Sequence, residues 1–299
     1  MVENKIRKIL YIDMDNVRVD FQSGINLLYI ATKISYHMNQ NYFRLIQNCK
    51  NIALGVFLAI GSVGTVSAQL SGSYTINSAA ASSSTNYTSL AAFVTALNTS
   101  GVSGAVTASV KTSETVTNNV VFRNISGVSS TNTITIDGGG FRYSSSVANE
   151  MGLTTSASNA EVIRFSGTDY VTIKNYIIEN SNTSTNGRII RFEADANGNS
   201  ADYNNILSCT LQFSARTSGS TSAGAYVVFG SSLTASITSP SVNMGRFTVI
   251  KGNLMRTTNT NSPGPAFGIC ENEPSGTYSG TVTGNEFVGN TIENFYYYG

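Results

Sequence analysis

Two aspartates one residue apart, Asp13 and Asp15, follow the apolar run ILYI at positions 9–12. At the end of a strand, residues i and i+2 face the same side, so both carboxylates can meet one substrate. One carboxylate can attack a phosphoryl group and form an aspartyl-phosphate. The other can protonate the leaving oxygen and later activate water. A strand over residues 8–12 would hold the pair at the carboxyl edge of a parallel sheet, where ligand crevices form. Histidine chemistry is scarce. The single His is His37, so neither a Ser-His-Asp triad nor a His-rich zinc site can be assembled from residue 38 onward.

The stretch YIDMDNVRVDFQSGI resembles the first motif of the haloacid-dehalogenase phosphatase superfamily, and within it bacterial 5'(3')-deoxyribonucleotidases. The resemblance spans residues 4–25. It implies Asp13 as nucleophile, Asp15 as acid/base and Mg²⁺ held by both. Arg18 stands where that pattern carries an apolar residue. Such an enzyme also needs a Ser or Thr for the phosphate, a Lys, a later acidic pair and alternating strands and helices. No later acidic pair after an apolar strand and no alternating strand–helix pattern follow in the sequence. One strand and two carboxylates neither bury a core nor fix a metal. Residues 1–37 therefore read as a non-integrated phosphatase-motif fragment, as if part of a neighbouring coding sequence stood upstream of Met38. The segment LLYIATKISYH at 27–37 resembles neither neighbour.

The elements that follow belong to another kind of protein. Met38 opens a polar stretch with Arg44 and Lys50, and NIALGVFLAIGSVGTVSA then runs uncharged to Ala68. A positive flank, an apolar run and small residues at Val66-Ser67-Ala68 form the pattern of an export signal. We expect residues 38–68 to be a signal peptide cleaved after Ala68, giving a secreted or cell-surface product. The run is shorter and more glycine-diluted (Gly55, Gly61, Gly64) than the roughly 20 apolar residues a membrane span needs. The charged fraction is 12% and the net charge +1, so no basic field points to nucleic acid. Cys49, Cys209 and Cys270 form no CxxC pair. Cys209 and Cys270 can pair, but two small buried thiols are the reading we favour.

From Gln69 the chain is rich in Ser, Thr, Asn and Gly. Leu90, Phe93, Val94 and Leu97 fall at helical spacing after a Thr88 or Ser89 cap, with Gly101 past the end. Strand-like runs follow: VVFRNI at 120–125, NTITID at 132–137, EVIRFSG at 161–167, YVTIKNYIIEN at 170–180 and RIIRFEA at 188–194. NNILSCTLQFS at 204–214, AYVVFGS at 225–231, FTVIKGNLMR at 247–256 and GNEFVGNTIEN at 284–294 complete the set. Four segments superpose: IKNYIIEN, ILSCTLQF, IKGNLMRT and FVGNTIEN. Asn175, Ser208, Gly252 and Gly289 share one column, and Tyr176, Cys209, Asn253 and Asn290 the next. Ile178, Leu211, Met255 and Ile292 form an apolar column, at intervals of 33, 44 and 37 residues. Irregular intervals with fixed columns suit a parallel β-helix with variable loops, in which turn-column side chains ladder and apolar columns fill the interior.

With SGSYTI, NISGVSSTNTITIDG and IRFSGTDYVTIKNYIIEN, residues 69–299 resemble the right-handed parallel β-helix (pectin-lyase-like) domains of secreted Bacteroidetes-type surface proteins. The expected fold class is all-β, with a short N-terminal capping helix that keeps strand edges from aggregating. NFYYYG falls in mid-coil, so truncation before a C-terminal sorting module is expected. Lyases on this fold use acidic clusters that bind Ca²⁺ and an Arg or Lys base. Asp137, Asp169, Asp195, Asp202, Lys174, Arg188 and Arg191 are the available residues. Asp137 before three glycines reads as a turn, and DANGNSAD (195–202) lacks the terminal Glu of a calcium loop. Tyr296, Tyr297 and Tyr298 offer a sugar-stacking platform or, more plainly, alternating strand positions. The expected role is structural, adhesive or glycan-binding, with no catalytic residue and no cofactor in 69–299. The partners are extracellular glycans or surface components, with no nucleic acid and no membrane span after cleavage. The alternatives are a polysaccharide lyase or hydrolase on the β-helix, and the Mg²⁺-dependent deoxyribonucleotidase. N-terminal sequencing of the protein from its native host should return Gln69. A start at Met1 or Val2, with phosphate release from a nucleoside monophosphate abolished by Asp13→Asn, would reverse this reading.

Overall fold

The computed structural model describes residues 68–147, 161–183, 187–215, 224–230, 245–258, 265, 267–271 and 283–293. The chain divides between Val66 and Ser67, and the described residues all belong to the second unit. That unit opens with β1 (Leu70–Ile76), β2 (Asn86–Tyr87) and α1 (Leu90–Ser100). Next come β3 (Val102–Val110), β4 (Glu114–Val116), β5 (Val120–Phe122), β6 (Ile134–Asp137), β7 (Arg142–Ser145) and β8 (Glu161–Ser166). The following coils hold β9 (Val171–Lys174), β10 (Ile177–Asn180), β11 (Arg188–Glu193), β12 (Asn205–Leu207), β13 (Thr210–Phe213) and β14 (Ala225–Phe229). β15 (Val249–Lys251), β16 (Leu254–Thr257), β17 (Phe267–Glu271), β18 (Glu286–Val288) and β19 (Thr291–Ile292) complete it.

Three parallel sheets form. The first runs β18-β15-β12-β9-β6-β3-β1-β2, the second β19-β16-β13-β10-β7-β4 and the third β17-β14-β11-β8-β5. From β3 onward the chain visits first, second and third sheet in strict rotation. That rotation fits a parallel β-helix. The aligned columns hold residue for residue: Ile173, Ile206, Ile250 and Phe287 are register partners, as are Ile178, Leu211, Met255 and Ile292.

Several long runs expected as single strands are two strands each. YVTIKNYIIEN is β9 and β10, and the runs at 204–214, 247–256 and 284–294 divide likewise. The cause is backbone geometry. Asn175, Ser208, Gly252 and Gly289 have φ of 52, 53, 67 and 63°, in the left-handed region. A left-handed residue cannot continue a strand, so the chain turns a corner from the first sheet to the second. The strands β1, β2, β3, β4, β7 and β17 fall outside the expected runs; in β1, β3 and β7 Ser, Thr and Gly mask the alternation, and β2 and β4 are only two and three residues long.

The interior is built of columns. Phe122, Phe165, Phe192 and Phe229 stack at centroid distances of 5.1, 4.6 and 4.9 Å. All four are fully buried, as are Ile136, Ile173, Ile206 and Ile250. Each such side chain contributes roughly 1.5–3 kcal/mol of burial. The ring of Tyr176, also buried, lies where a Cβ on Gly138 would come within 2.4 Å, so glycine is needed in the coil below it.

Helix α1 covers the first coils as expected. Ser89 Oγ accepts from Ala92 N at 3.1 Å, and Gly101 N donates to Leu97 O at 2.9 Å. Leu90, Phe93, Val94 and Leu97 are its buried face. Asn98 treats the edge strand β5 as a neighbouring strand would: Nδ2 donates to Val121 O at 2.8 Å, and Oδ1 accepts from Arg123 N at 3.0 Å. An edge occupied in this way is closed to strand addition.

The corners carry asparagine ladders. Asn253 Oδ1 accepts from Cys209 N at 2.8 Å, and Nδ2 donates to Ile206 O and to Asn290 Oδ1, both at 2.9 Å. Asn290 repeats the pattern one coil on, accepting from Asn253 N at 3.0 Å and donating to Ile250 O at 2.7 Å. A second ladder lies where the third sheet leads into the first. There Asn204 accepts from Val171 N at 3.0 Å and Asn285 from Thr248 N at 2.9 Å. Asn253→Ala leaves a buried N–H and a buried C=O without partners, so urea unfolding should show a loss of about 2–4 kcal/mol. A loss under about 0.5 kcal/mol would remove the ladder from the forces that hold the corner.

Candidate functional site

The corner from the third sheet to the first gathers the most unusual surface chemistry. Tyr170, Tyr203 and Phe247 occupy one column, each left-handed at φ 56, 56 and 54°. Their rings stack at 4.9 and 5.0 Å, with interplanar angles of 2 and 11°. The left-handed conformation costs roughly 1–2 kcal/mol per residue, and an aromatic pair returns roughly 0.5–1.5 kcal/mol. The fourth position is Gly284, whose added Cβ would meet the Phe247 ring at 2.5 Å. The faces are thus occupied by neighbours while the edges meet solvent, with Tyr203 41% and Phe247 45% exposed.

One residue earlier runs a charged column. Asp202 N donates to Asp169 Oδ1 at 2.7 Å. Arg246 grips Asp202 three times, through N to Oδ1 at 2.8 Å and through Nε and Nη2 to Oδ2 at 3.0 and 2.6 Å. Ser200 Oγ adds a bond to Asp202 Oδ1 at 2.5 Å. Burial, helped by the charge of Asp202, pushes the Asp169 carboxyl up to about 6 against the opposing Asp202 N–H bond and the Arg246 charge. The corner therefore holds one carboxylate locked by arginine and one that keeps its proton to mildly acidic pH.

The other sequence candidates separate. Asp137 Oδ1 accepts from Gly139 N and Asn175 Nδ2, both at 3.1 Å, and Lys174 Nζ lies 3.2 Å from Oδ2. Burial opposes ionisation of Asp137, but these bonds and the lysine charge outweigh it and lower the pKa. Asp195 spends both oxygens inside its own loop, on Asn197 N at 2.9 Å and on Asn199 N and Nδ2 at 2.9 and 2.8 Å. Asp195 and Asp202 build no calcium loop together, and among the described residues no group of three or more His, Cys, Asp or Glu could hold a metal. Cys209 is a free buried thiol, its pKa pushed up to about 12 by burial, so it takes part in no Cys209–Cys270 bridge. Asp13, Asp15 and Tyr296, Tyr297 and Tyr298 lie outside the described residues, as does the expected signal up to residue 67.

Arg188 and Arg191 join a cluster whose other members sequence reasoning missed. Both are buried in β11. Arg191 and Arg164 are register partners across β11 and β8. Arg164 Nε lies 3.4 Å from Glu161 Oε1 and its Nη1 3.5 Å from Glu193 Oε1, while Arg191 Nε meets Glu193 Oε2 at 2.9 Å. The parallel between EVIRFS and RIIRFE is the signal that could have found Arg164, since it sets the two arginines in one column. On the second sheet Glu179 accepts from Ser144 Oγ at 2.7 Å and from Gln212 Nε2, and Arg256 Nη2 donates to Gln212 Oε1 at 3.2 Å.

No family model, curated protein or solved structure matches this chain. Among the described residues no helix is long and apolar enough to cross a membrane.

The raised Asp169 carboxyl has a consequence for stability. In the unfolded chain an aspartate releases its proton near 3.8, whereas folded Asp169 holds it to about 6. Between those values the folded state binds more protons, so this residue's contribution to stability falls as pH rises. Asn at 169 keeps the acceptor for Asp202 N but cannot ionise. Urea midpoints measured from pH 4 to 7 should fall with pH more steeply for the natural chain than for Asp169→Asn. Parallel curves would show that Asp169 is not perturbed.

Proposed function

We propose that residues 69–299 form a right-handed parallel β-helix displayed outside the cell, exported by a signal at 38–68 cut after Ala68. Its role in this reading is structural, adhesive or glycan-binding rather than catalytic. The observation that supports it most is how the outward carboxylates are used. Asp137 pairs with Lys174, Glu179 with Gln212 and Asp202 with Arg246, each across to the next coil. Carboxylates engaged in this way stiffen a scaffold and are poorly placed to move protons in a reaction. Tyr170 and Tyr203 add phenol groups, beside Asp169, along a row that a glycan's hydroxyls can follow.

A second reading, a polysaccharide hydrolase or lyase, draws on Asp169. A carboxyl titrating near 6 beside a carboxylate tied to Arg246 is a plausible acid–base pair. The deoxyribonucleotidase reading rests on Asp13 and Asp15 alone, with Mg²⁺ as its cofactor. An array of bacterial and host surface glycans probed with the purified full chain separates the first two readings. Binding without new reducing or unsaturated ends, unchanged by chelator, is the expected result. Cleavage products that disappear in Asp169→Asn would replace the scaffold reading with the enzyme.

A further inference from the structure

Two phenols stand side by side at the corner from the third sheet to the first. Tyr170 and Tyr203 are 33 residues apart in the chain, yet the register of β9 on β12 sets them at the same position of successive coils. Their rings are parallel within 2°, with centroids 4.9 Å apart. Tyr203 is exposed and Tyr170 half-buried. Phe247 stacks on Tyr203 from the next coil, and Gly284 follows it. The column therefore holds one pair of phenols and no third.

Other tyrosine pairs among the described residues differ. Tyr74 and Tyr87 lie at 5.9 Å with planes tilted by 50°, and both pack on Phe93. Tyr143 and Tyr176 lie at 6.4 Å, tilted by 57°, and are buried. Tyr170 and Tyr203 alone combine ring contact, parallel planes and access from solvent.

A phenol that loses one electron and its O–H proton becomes a phenoxyl radical, with part of the unpaired spin on the ring carbons ortho to oxygen. Two such radicals join ortho carbon to ortho carbon, and each of those carbons passes its hydrogen to a phenol oxygen as the rings regain aromaticity. Two electrons and two protons leave the pair. One hydrogen peroxide takes them up and becomes two waters. The obstacle in free solution is the encounter of two short-lived radicals, and rings held in one column remove it. Bond formation needs the rings to turn about their side-chain bonds, and their solvent-facing edges leave room for that. We propose that Tyr170 and Tyr203 are an oxidative cross-linking site, joined as dityrosine by a haem peroxidase and hydrogen peroxide. The new bond staples two successive coils at their corner. As a disulfide does, it restricts the unfolded chain more than the folded one. The site does not depend on glycan binding at this corner.

The test treats the full chain with a haem peroxidase and hydrogen peroxide. Trypsin then releases Tyr170 in the peptide 165–174 and Tyr203 in 192–216. Mass spectrometry should find these two joined and lighter by two hydrogens than their sum, in a chain that still runs as a monomer. The yield should not change when the protein is diluted about tenfold, as expected of an intramolecular step. The urea midpoint of the cross-linked chain should rise. Tyr170→Phe and Tyr203→Phe keep the stacked rings, as Phe247 does in the same column, and should each abolish both the joined peptide and the rise. If one variant melts early, the other decides. Absence of the joined peptide, a yield that falls on dilution, or a midpoint rise that survives in the variants would overturn the site. Loss of glycan binding on the array with the cross-link intact would instead overturn only the proposed surface role.

Discussion

Each coil of this protein is added by laying its backbone donors and acceptors on those of the coil before it. Every strand pair is parallel, and between coils the register runs for two to six residues, as in Ile177–Asn180 against Thr210–Phe213. Parallel pairing with a period of one coil forces like positions to stack. A side chain then has as its nearest neighbours the same position in the coils above and below. Most other features are answers to that constraint.

Some residue types gain from stacking on themselves. Phenylalanine rings do so inside, from Phe122 to Phe229, and asparagine amides do so at the corners, where Oδ1 and Nδ2 both bond the backbone of the preceding coil. Others lose. Arg164 over Arg191 is a like-charge contact, and Glu161 and Glu193 are the compensation, interleaved so that each guanidinium meets a carboxylate. Asp202 over Asp169 is another, relieved by Arg246 on one side and by a held proton on the other. The raised carboxyl of Asp169 owes its shift first to burial in the corner and then to the Asp202 charge that the same repetition stacks over it. It stands beside exposed aromatic edges, which makes this corner the best-furnished part of the described surface.

A stack of coils also has ends. At the N-terminal end α1 supplies both an apolar lid and, through Asn98, a substitute for the missing strand next to β5. A helix laid on a strand edge cannot match its shape everywhere. The gap between them is a small cavity beside Asn98 and Arg123. Capping and cavity are therefore two results of one mismatch between a helical and an extended surface.

The helix at 90–100 and the corner columns were legible in the chain alone. Ser89, the spacing of Leu90, Phe93, Val94 and Leu97, and Gly101 are local signals, and local signals survive any tertiary context. The columns 175/208/252/289 and 178/211/255/292 were legible because four segments of eight residues share a pattern that loop length does not disturb. The corner at Tyr170, Tyr203 and Phe247 was not read as a site, although it repeats at the same intervals. Nothing in an isolated tyrosine announces a left-handed backbone, which is adopted only when the coil must turn there. The pairing of Asp202 with Arg246 across 44 residues, and the burial of Arg164 and Glu193, were decided by the tertiary structure. Charged residues are written in sequence as if for water. Only the register between coils, set by backbone bonds between distant segments, determines which of them share a column and lose it.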